Sequence, residues 1–193
     1  MTMHVLEKLA ATNPECEIWW DSSPLVYAGW KASVLRNAPA GKSSEWRDQL
    51  TRLFDETEVR NSGQMGFRGV TTNPPLSLQA IQADPAFWAD EIRKIALGHD
   101  ADDIEGIYWE IYLDVVRRGA AMISKAYEVS GGKYGFVSGQ VDPRFVTDGE
   151  RMLRQGLELA AIAPNVMVKI PGSMEGYQVI EELTARGIST NNT

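Results

Sequence analysis

The sequence predicts an α/β fold in which helices cover a parallel sheet, and three observations support this prediction. Short apolar runs, typical of buried strands, alternate with longer segments of helical periodicity. Polar, proline or glycine residues follow the apolar runs directly. The 193 residues are 44% hydrophobic and 23% charged, the balance of a globular chain that can bury a core. Because strands that alternate with helices need crossover connections, they pair in parallel.

The first half of the chain predicts two buried strands and two helical regions. We expect strands at residues 18–21 and 67–72, because each is a short apolar run that stops at a loop containing proline. A single amphipathic helix is expected at 45–57, after an irregular segment. Residues 76–129 predict a long helical stretch broken near 98–103, where acidic residues favour a helix N-terminus.

The second half of the chain continues the alternation of strands and helices. Strands are expected at residues 134–141 and 165–170, with a helix at 147–161 between them. Ser173 can cap the helix that follows, and residues 188–193 begin a fifth strand. The pattern therefore predicts four strand–helix units and the opening of a fifth.

The charge and the cysteine content argue against several classes of protein. With 26 acidic and 19 basic residues, the net charge of -7 repels the phosphates of nucleic acids. The single cysteine, Cys16, cannot form an internal disulfide, which fits a reducing compartment. No apolar stretch approaches the roughly 20 residues of a membrane span. We therefore expect a cytoplasmic protein with neither nucleic acid nor membrane as partner.

Candidate functional residues stand where the predicted strands end, because parallel α/β proteins bind ligands outside the carboxyl ends of their strands. Strand side chains alternate, so Lys169 shares a face with Met167, while the valines and isoleucine between them face the helices. Six polar residues meet the strand-end criterion: Asp21, Asn73, Gln140, Lys169, Asn191 and Thr193.

Lys169 is the candidate with the clearest chemistry. Burial disfavours the ammonium form of a lysine and leaves a free amine that can attack a carbonyl. Imine formation needs nearby acid–base groups, which Asp21 could supply, while Asn73 and Asn191 could hold hydroxyls. We expect the amine to point inward, within reach of Asp21 and Asn73. The alternative left open is a strand-end lysine that extends into solvent.

Four segments of the chain resemble motifs of the transaldolase family. The sequence VMVKIPGSMEG at residues 166–176 is similar to the fourth-strand signature, and GVTTNP at 69–74 to the second-strand motif. VDPR at 141–144 resembles the third motif, and GISTNNT at 187–193 the opening of the fifth strand. The resemblance runs in register over about residues 18–193.

The resemblance implies a parallel (β/α) barrel of the TIM type. Residues 1–193 would then be a single barrel domain, truncated at its C-terminus, that covers the first four to five strand–helix units. It also implies an imine between Lys169 and a ketose phosphate, and transfer of a dihydroxyacetone unit to an aldose phosphate in carbohydrate metabolism of the pentose phosphate type. No metal or organic cofactor is expected, because the protonated imine is the electron sink.

The resemblance also assigns roles to the other candidates. Asp21 would assist proton transfer to the C4 hydroxyl, and Asn73 and Asn191 would hold hydroxyls of the donor. Thr193 would position a water. Gln140 stands where family transaldolases have glutamate; its amide cannot exchange a proton but can hold a water. The related fructose-6-phosphate aldolases resemble this chain in having glutamine there.

Two other functions stay open at this point. Gln140 favours a lyase of the fructose-6-phosphate aldolase type. Together with the missing phosphate-binding region, Gln140 also favours a non-catalytic half-barrel that serves as an assembly or binding module. Exposed sheet edges or an open barrel face would promote association, so we expect homo-oligomers as well as sugar phosphates among the partners. We expect the 193-residue chain alone to be weakly active or inactive.

Three further groups of residues favour structural roles. His4 and His99 lie away from the predicted strand ends, so we expect solvated, non-catalytic histidines. The acidic residues near 100–103 suit a helix start better than a metal site. An aromatic stripe on the following helix is expected to serve packing, and it consists of Tyr108, Trp109 and Tyr112.

Overall fold

A computed structural model of the chain describes residues 5–13 and 15–193, and in that part five strands form one parallel sheet. The strands are β1 (Trp19–Asp21), β2 (Gly69–Thr71), β3 (Phe136–Gln140), β4 (Val166–Ile170) and β5 (Thr190–Asn192). Each strand pairs with the next one along the chain, so the order in the sheet follows the sequence. His4 lies outside the described residues.

Helices connect all the successive strands of this sheet. Over the same described residues, α1 (Val5–Thr12) precedes β1, and the connecting helices are α2 (Tyr27–Arg36), α3 (Ser43–Leu53), α4 (Glu56–Ser62), α5 (Pro74–Ala83), α6 (Pro85–Ala96), α7 (Ile104–Val129), α8 (Gly149–Ala160) and α9 (Met174–Ala185). The predicted α/β class with a parallel sheet is confirmed. The topology is that of a partial TIM-barrel type fold.

The core lies between the sheet and the helices. On β4 the outward residues Val166, Val168 and Ile170 are 4%, 0% and 0% exposed. They pack under α8 and α9, which contribute the fully buried Leu159 and Leu183. Burial of each such side chain stabilises the fold by roughly 1.5–3 kcal/mol. This packing fixes which face of β4 is turned away from the helices, and we call that face of the sheet the inner face.

The connection between β1 and β2 is more helical than the sequence predicted. Residues 27–36 form α2 where we expected an irregular segment. The prediction of a single helix at 45–57 is wrong, because α3 and α4 are separate helices. Asp55 causes the break: its backbone is extended, and its carboxylate caps α4 by accepting from the amides of Thr57 and Glu58 at 3.1 and 3.2 Å.

The helical stretch expected at 76–129 contains one more break than predicted. The expected break near 98–103 is confirmed, and Asp103 caps α7 by accepting from the Gly106 amide at 2.9 Å. The additional break lies at Asp84, which caps α6 by accepting from the Phe87 amide at 3.2 Å. The helix α1 at the start of the described chain was not predicted. No helix among the described residues has both the length and the apolar character needed to span a membrane.

Candidate active site

Three of the predicted site residues lie side by side on the inner face. The register pairs Gln140 with Lys169 and Lys169 with Asn191. Paired residues of neighbouring parallel strands direct their side chains to the same face, so two carboxamides flank the lysine. We call Gln140, Lys169 and Asn191 the upper row. It is a row of hydrogen-bonding groups around one amine at the carboxyl ends of three strands.

The Lys169 side chain points to the inner face, as strand alternation predicted, and it is half-buried. Burial along β4 alternates, with Met167 and Lys169 half-buried and the residues between them buried under helices. The amine is therefore not enclosed beneath a helix, and the side chain keeps part of its surface in solvent. Within residues 5–13 and 15–193, no carboxylate forms an ion pair with Lys169.

A second set of inward residues lies directly below the upper row. The register aligns Asp21 with Thr71, Thr71 with Ser138, and Ser138 with Met167, and we call these four residues the lower row. The Thr71 hydroxyl donates to Asp21 Oδ1 at 2.7 Å, which orients the exposed carboxylate. Asp21 lies three strands away from Lys169, with about 4.8 Å between neighbouring strands. Its reach toward the amine stays a prediction.

The two asparagines of the candidate site each keep one amide atom without a hydrogen-bond partner in the part of the chain that the structure describes. Asn191 Nδ2 donates to the fully buried Ser138 Oγ at 3.0 Å, which leaves its Oδ1 as an acceptor. Asn73 Oδ1 accepts from the Leu76 amide at 2.9 Å and caps α5, which leaves its Nδ2 as a donor. The proline pair after Asn73 thus both ends β2 and begins a helix. The proximity of Asn73 to the amine stays a prediction.

The remaining candidates, Gln140 and Thr193, are held through their backbones. The Gln140 amide donates to the hydroxyl oxygen of Tyr112 at 2.7 Å. Burial raises the pKa of Tyr112, so the phenol is neutral. Thr193 is exposed, and its amide donates to the Ile170 carbonyl at 3.0 Å. Gln140 therefore lies in the upper row, whereas Thr193 lies at its margin.

Aromatic rings line the inner face below the polar rows. Trp19 and Phe136 stack with ring centroids 6.5 Å apart and planes 10° apart. The Trp19 ring lies over Gly69, where a Cβ atom would come within 2.5 Å of it. Gly69 therefore leaves space for the Trp19 indole, and the inner face is apolar below the two rows.

The VDPR motif fixes the chain where it leaves β3. Asp142 is buried. Its Oδ1 accepts from the Arg144 backbone amide at 2.9 Å, and its Oδ2 accepts from Arg144 Nε at 2.9 Å. Burial raises the pKa of Asp142, but the hydrogen bonds and charge of Arg144 outweigh it and hold the pKa below its usual value. The Arg144 guanidinium is thus bound within this loop, so the motif supports the site structurally.

His99 is not the solvated histidine that the sequence suggested. Its Nδ1 lies 2.9 Å from Asp103 Oδ2, and its Nε2 lies 2.6 Å from Glu110 Oε2. The hydrogen bond with Glu110, followed by that with Asp103, raises the pKa of His99. The histidine joins the loop after α6 to α7, and it does not belong to the upper or lower row.

Strand-end reasoning missed three residues that hold the site, namely Thr71, Ser138 and Tyr112. Alternation assigns Thr71 and Ser138 to the inner face, but neither ends its apolar run. Tyr112 lies on a helix 28 residues before Gln140, and helical periodicity does not reveal which strand residue a phenol reaches.

The chain is similar to one protein family and to individual proteins of known name. The family described as Transaldolase/Fructose-6-phosphate aldolase matches residues 47–193. A transaldolase of Mycolicibacterium smegmatis is 35% identical over 156 residues, which are 78% of this chain and 41% of that protein. A transaldolase of Neisseria gonorrhoeae is 32% identical over 164 residues, 83% of this chain and 46% of that protein. The chain thus spans less than half the length of the curated relatives it matches.

Proposed function

The chain belongs to the transaldolase/fructose-6-phosphate aldolase family, and we propose that it takes part in a transaldolase-type transfer through a Schiff base on Lys169. The proposal moves a dihydroxyacetone unit from a ketose phosphate to an aldose phosphate. The observation that carries it is the upper row, in which an inward lysine without an ion-pair partner among the described residues stands between two carboxamides.

The first step is attack of the Lys169 Nζ on the ketose carbonyl. The C–N bond forms as the carbonyl oxygen takes up a proton, and loss of water from the carbinolamine gives a protonated imine. Gln140 would hold the water that moves these protons, because its amide can donate and accept hydrogen bonds without ionising. The protonated imine then draws electrons from the neighbouring C3–C4 bond.

Cleavage requires a base for the C4 hydroxyl, and Asp21 is proposed for it. The carboxylate removes the hydroxyl proton as the C3–C4 bond breaks, the aldose phosphate leaves, and the electron pair passes into the imine as an enamine. Thr71 supports this role because its hydroxyl donates to one carboxylate oxygen and leaves the other oriented. The substrate would span the distance between β1 and β4.

The enamine must be held until an acceptor aldehyde arrives. Asn191 Oδ1 and Asn73 Nδ2, the two amide atoms left available, are suited to an alcohol that donates and one that accepts. Thr193 would help to position a water that moves protons, and hydrolysis of the final imine frees Lys169. Attack of the enamine on the acceptor forms the new C–C bond, so the cycle needs neither a metal nor an organic cofactor. A cytoplasmic role in sugar phosphate metabolism belongs to the same proposal.

Reductive trapping tests the proposed function. The chain is incubated with fructose 6-phosphate and borohydride, and its intact mass is measured. We expect a mass increase that Lys169→Met abolishes. Lys133→Met is the matched control, since Lys133 precedes β3 at the opposite end of the sheet, and it should keep the increase. An adduct that survives Lys169→Met would overturn the proposal.

A lyase of the fructose-6-phosphate aldolase type is the second candidate function, and the glutamine at position 140, Gln140, favours it. The related fructose-6-phosphate aldolases resemble this chain in having glutamine at this position, and in such a lyase the enamine takes up a proton from water before hydrolysis of the imine releases free dihydroxyacetone. The amount of dihydroxyacetone formed from fructose 6-phosphate without an acceptor distinguishes the two activities. Its steady release would favour the lyase, whereas release only in trace amounts would favour transfer.

A further inference from the structure

Tyr112 on α7 holds the backbone at the point where Gln140 enters the upper row. Its hydroxyl oxygen accepts a hydrogen bond from the Gln140 amide at 2.7 Å. The tyrosine is 2% exposed, so water does not compete for this bond. The aromatic residue that the sequence suggested as packing therefore also makes a specific polar contact with the candidate site.

The Gln140 amide needs this acceptor because it lies beyond the paired part of β2. The β2–β3 register ends with Thr71 opposite Ser138. Successive amides of a strand point to opposite sides, and the Val141 amide donates to the Lys169 carbonyl on β4 at 3.1 Å. The Gln140 amide therefore points toward β2, where the chain has already turned toward α5. The phenol replaces a strand carbonyl as acceptor.

The exit of β3 is held at three successive amides by three different elements. The Tyr112 phenol on α7 accepts from the Gln140 amide, and the Lys169 carbonyl on β4 accepts from the Val141 amide. Gln155 Oε1 on α8 accepts from the Asp142 amide at 2.9 Å. Loss of the first bond would free only the end of the strand that carries the Gln140 side chain.

The Tyr112 ring is itself fixed by an aromatic neighbour that is in turn bound to α8. It stacks on Trp109 with ring centroids 5.4 Å apart and planes 29° apart. The Trp109 indole N–H donates to the Glu158 carboxylate on α8. Burial raises the pKa of Tyr112, which keeps the hydroxyl protonated. The phenol oxygen thus has a fixed position and a fixed charge.

We propose that Tyr112 is a positioning residue that, through the Gln140 backbone, sets where the Gln140 carboxamide stands beside the Lys169 amine. The inference rests on the proposed function, in which this carboxamide holds the water for imine formation. Tyr112 itself does not contact the substrate in this proposal. Its effect should therefore appear in the rate of imine formation and only through Gln140.

The test measures the rate of reductive trapping with dihydroxyacetone and cyanoborohydride on the chain as it exists. We expect Tyr112→Phe to slow adduct formation at Lys169 by up to about a hundredfold, the cost of displacing a positioned group by about 1 Å, with an unchanged dihydroxyacetone concentration for half-maximal rate. Tyr108→Phe is the matched control, because Tyr108 lies one turn away and faces the Arg144 guanidinium instead. It should trap at the wild-type rate.

A double-mutant cycle separates positioning from a general loss of structure. In a Gln140→Ala background, Tyr112→Phe should cause no further decrease, since the group it positions is gone. An unchanged rate in the single variant, or an equal decrease in both backgrounds, would overturn the role of Tyr112.

If Tyr112→Phe does not fold, 3-fluorotyrosine at position 112 keeps the hydroxyl but weakens its oxygen as an acceptor. An unchanged rate there would also overturn the role. Absence of any wild-type adduct would instead refute the proposed function, and the positioning role with it.

Discussion

At the scale of single residues, alternation along β4 was the most informative signal in the sequence. The run from Val166 to Ile170 predicted that Lys169 faces away from the helices, and its burial pattern agrees. Alternation could not predict what the neighbouring atoms do. The Asn73 side chain caps a helix through a local bond with the Leu76 amide, whereas the bond from Asn191 to Ser138 joins distant parts of the chain, which alternation along one strand does not reveal.

Replacement of Gln140 by glutamate tests the link between ionisation and transfer. Gln140→Glu keeps the shape of the side chain and restores a group that can exchange protons. We expect the ratio of transfer product to free dihydroxyacetone to increase several-fold. The ratio is measured with fructose 6-phosphate in the presence and absence of an aldose phosphate. An unchanged ratio would show that the residue type at 140 does not select between the reactions.

The contacts of His99 predict a pH dependence of stability. Glu110 and Asp103 raise its pKa above the ordinary value near 6.5. A group with a raised folded-state pKa stabilises the fold fully below its unfolded value and loses that contribution as the pH rises through the raised value. We expect His99→Gln to lower the Tm at about pH 5.5 and to have less effect near pH 9.

Thermal unfolding of both proteins over this pH range measures the difference. Asp102→Asn is the control, since Asp102 is an exposed acid of the same loop, and it should leave the pH dependence unchanged. A difference between wild type and His99→Gln that grows with pH would contradict the contacts described for this histidine.

At the scale of secondary structure, the strands and α7 were predicted within a few residues, whereas α2 and two of the breaks between helices were not. Buried parallel strands are continuous apolar runs, which the sequence displays directly. The missed breaks lie at Asp55 and Asp84, where an aspartate caps the next helix. Aspartate favours turns as well as helix caps, so its presence alone does not show that a new helix begins there.

The start of β3 offers a matched pair of glycines. Gly135 and Gly131 have φ values of +86° and +65°. A Cβ atom at Gly135 would lie 2.5 Å from the Tyr127 amide nitrogen, whereas one at Gly131 would meet no atom of the described residues within 4 Å. We expect Gly131→Ala to lower the free energy of unfolding by about 1 kcal/mol and Gly135→Ala by about 3 kcal/mol. Urea denaturation measures both, and equal losses would contradict the described contact.

At the scale of the whole molecule, the strand–helix alternation predicted a parallel sheet, and the structure confirms it. Helical crossovers place each new strand beside the last, so the order in the sheet follows the chain. The rows of the inner face could not be predicted, because register depends on how neighbouring strands pair and not on either strand alone. Register brings Gln140, Lys169 and Asn191 together although 51 residues separate the first from the last.

Peptide mapping after the chain has been incubated with dihydroxyacetone and cyanoborohydride shows directly whether Lys169 is the reactive amine. All lysines then compete for the same carbonyl compound. The placement of Lys169 between two carboxamides predicts that its peptide carries the modification well before those of the exposed Lys42 and Lys94. Equal labelling of all three lysines would contradict the claim that the inner face of this sheet activates one amine.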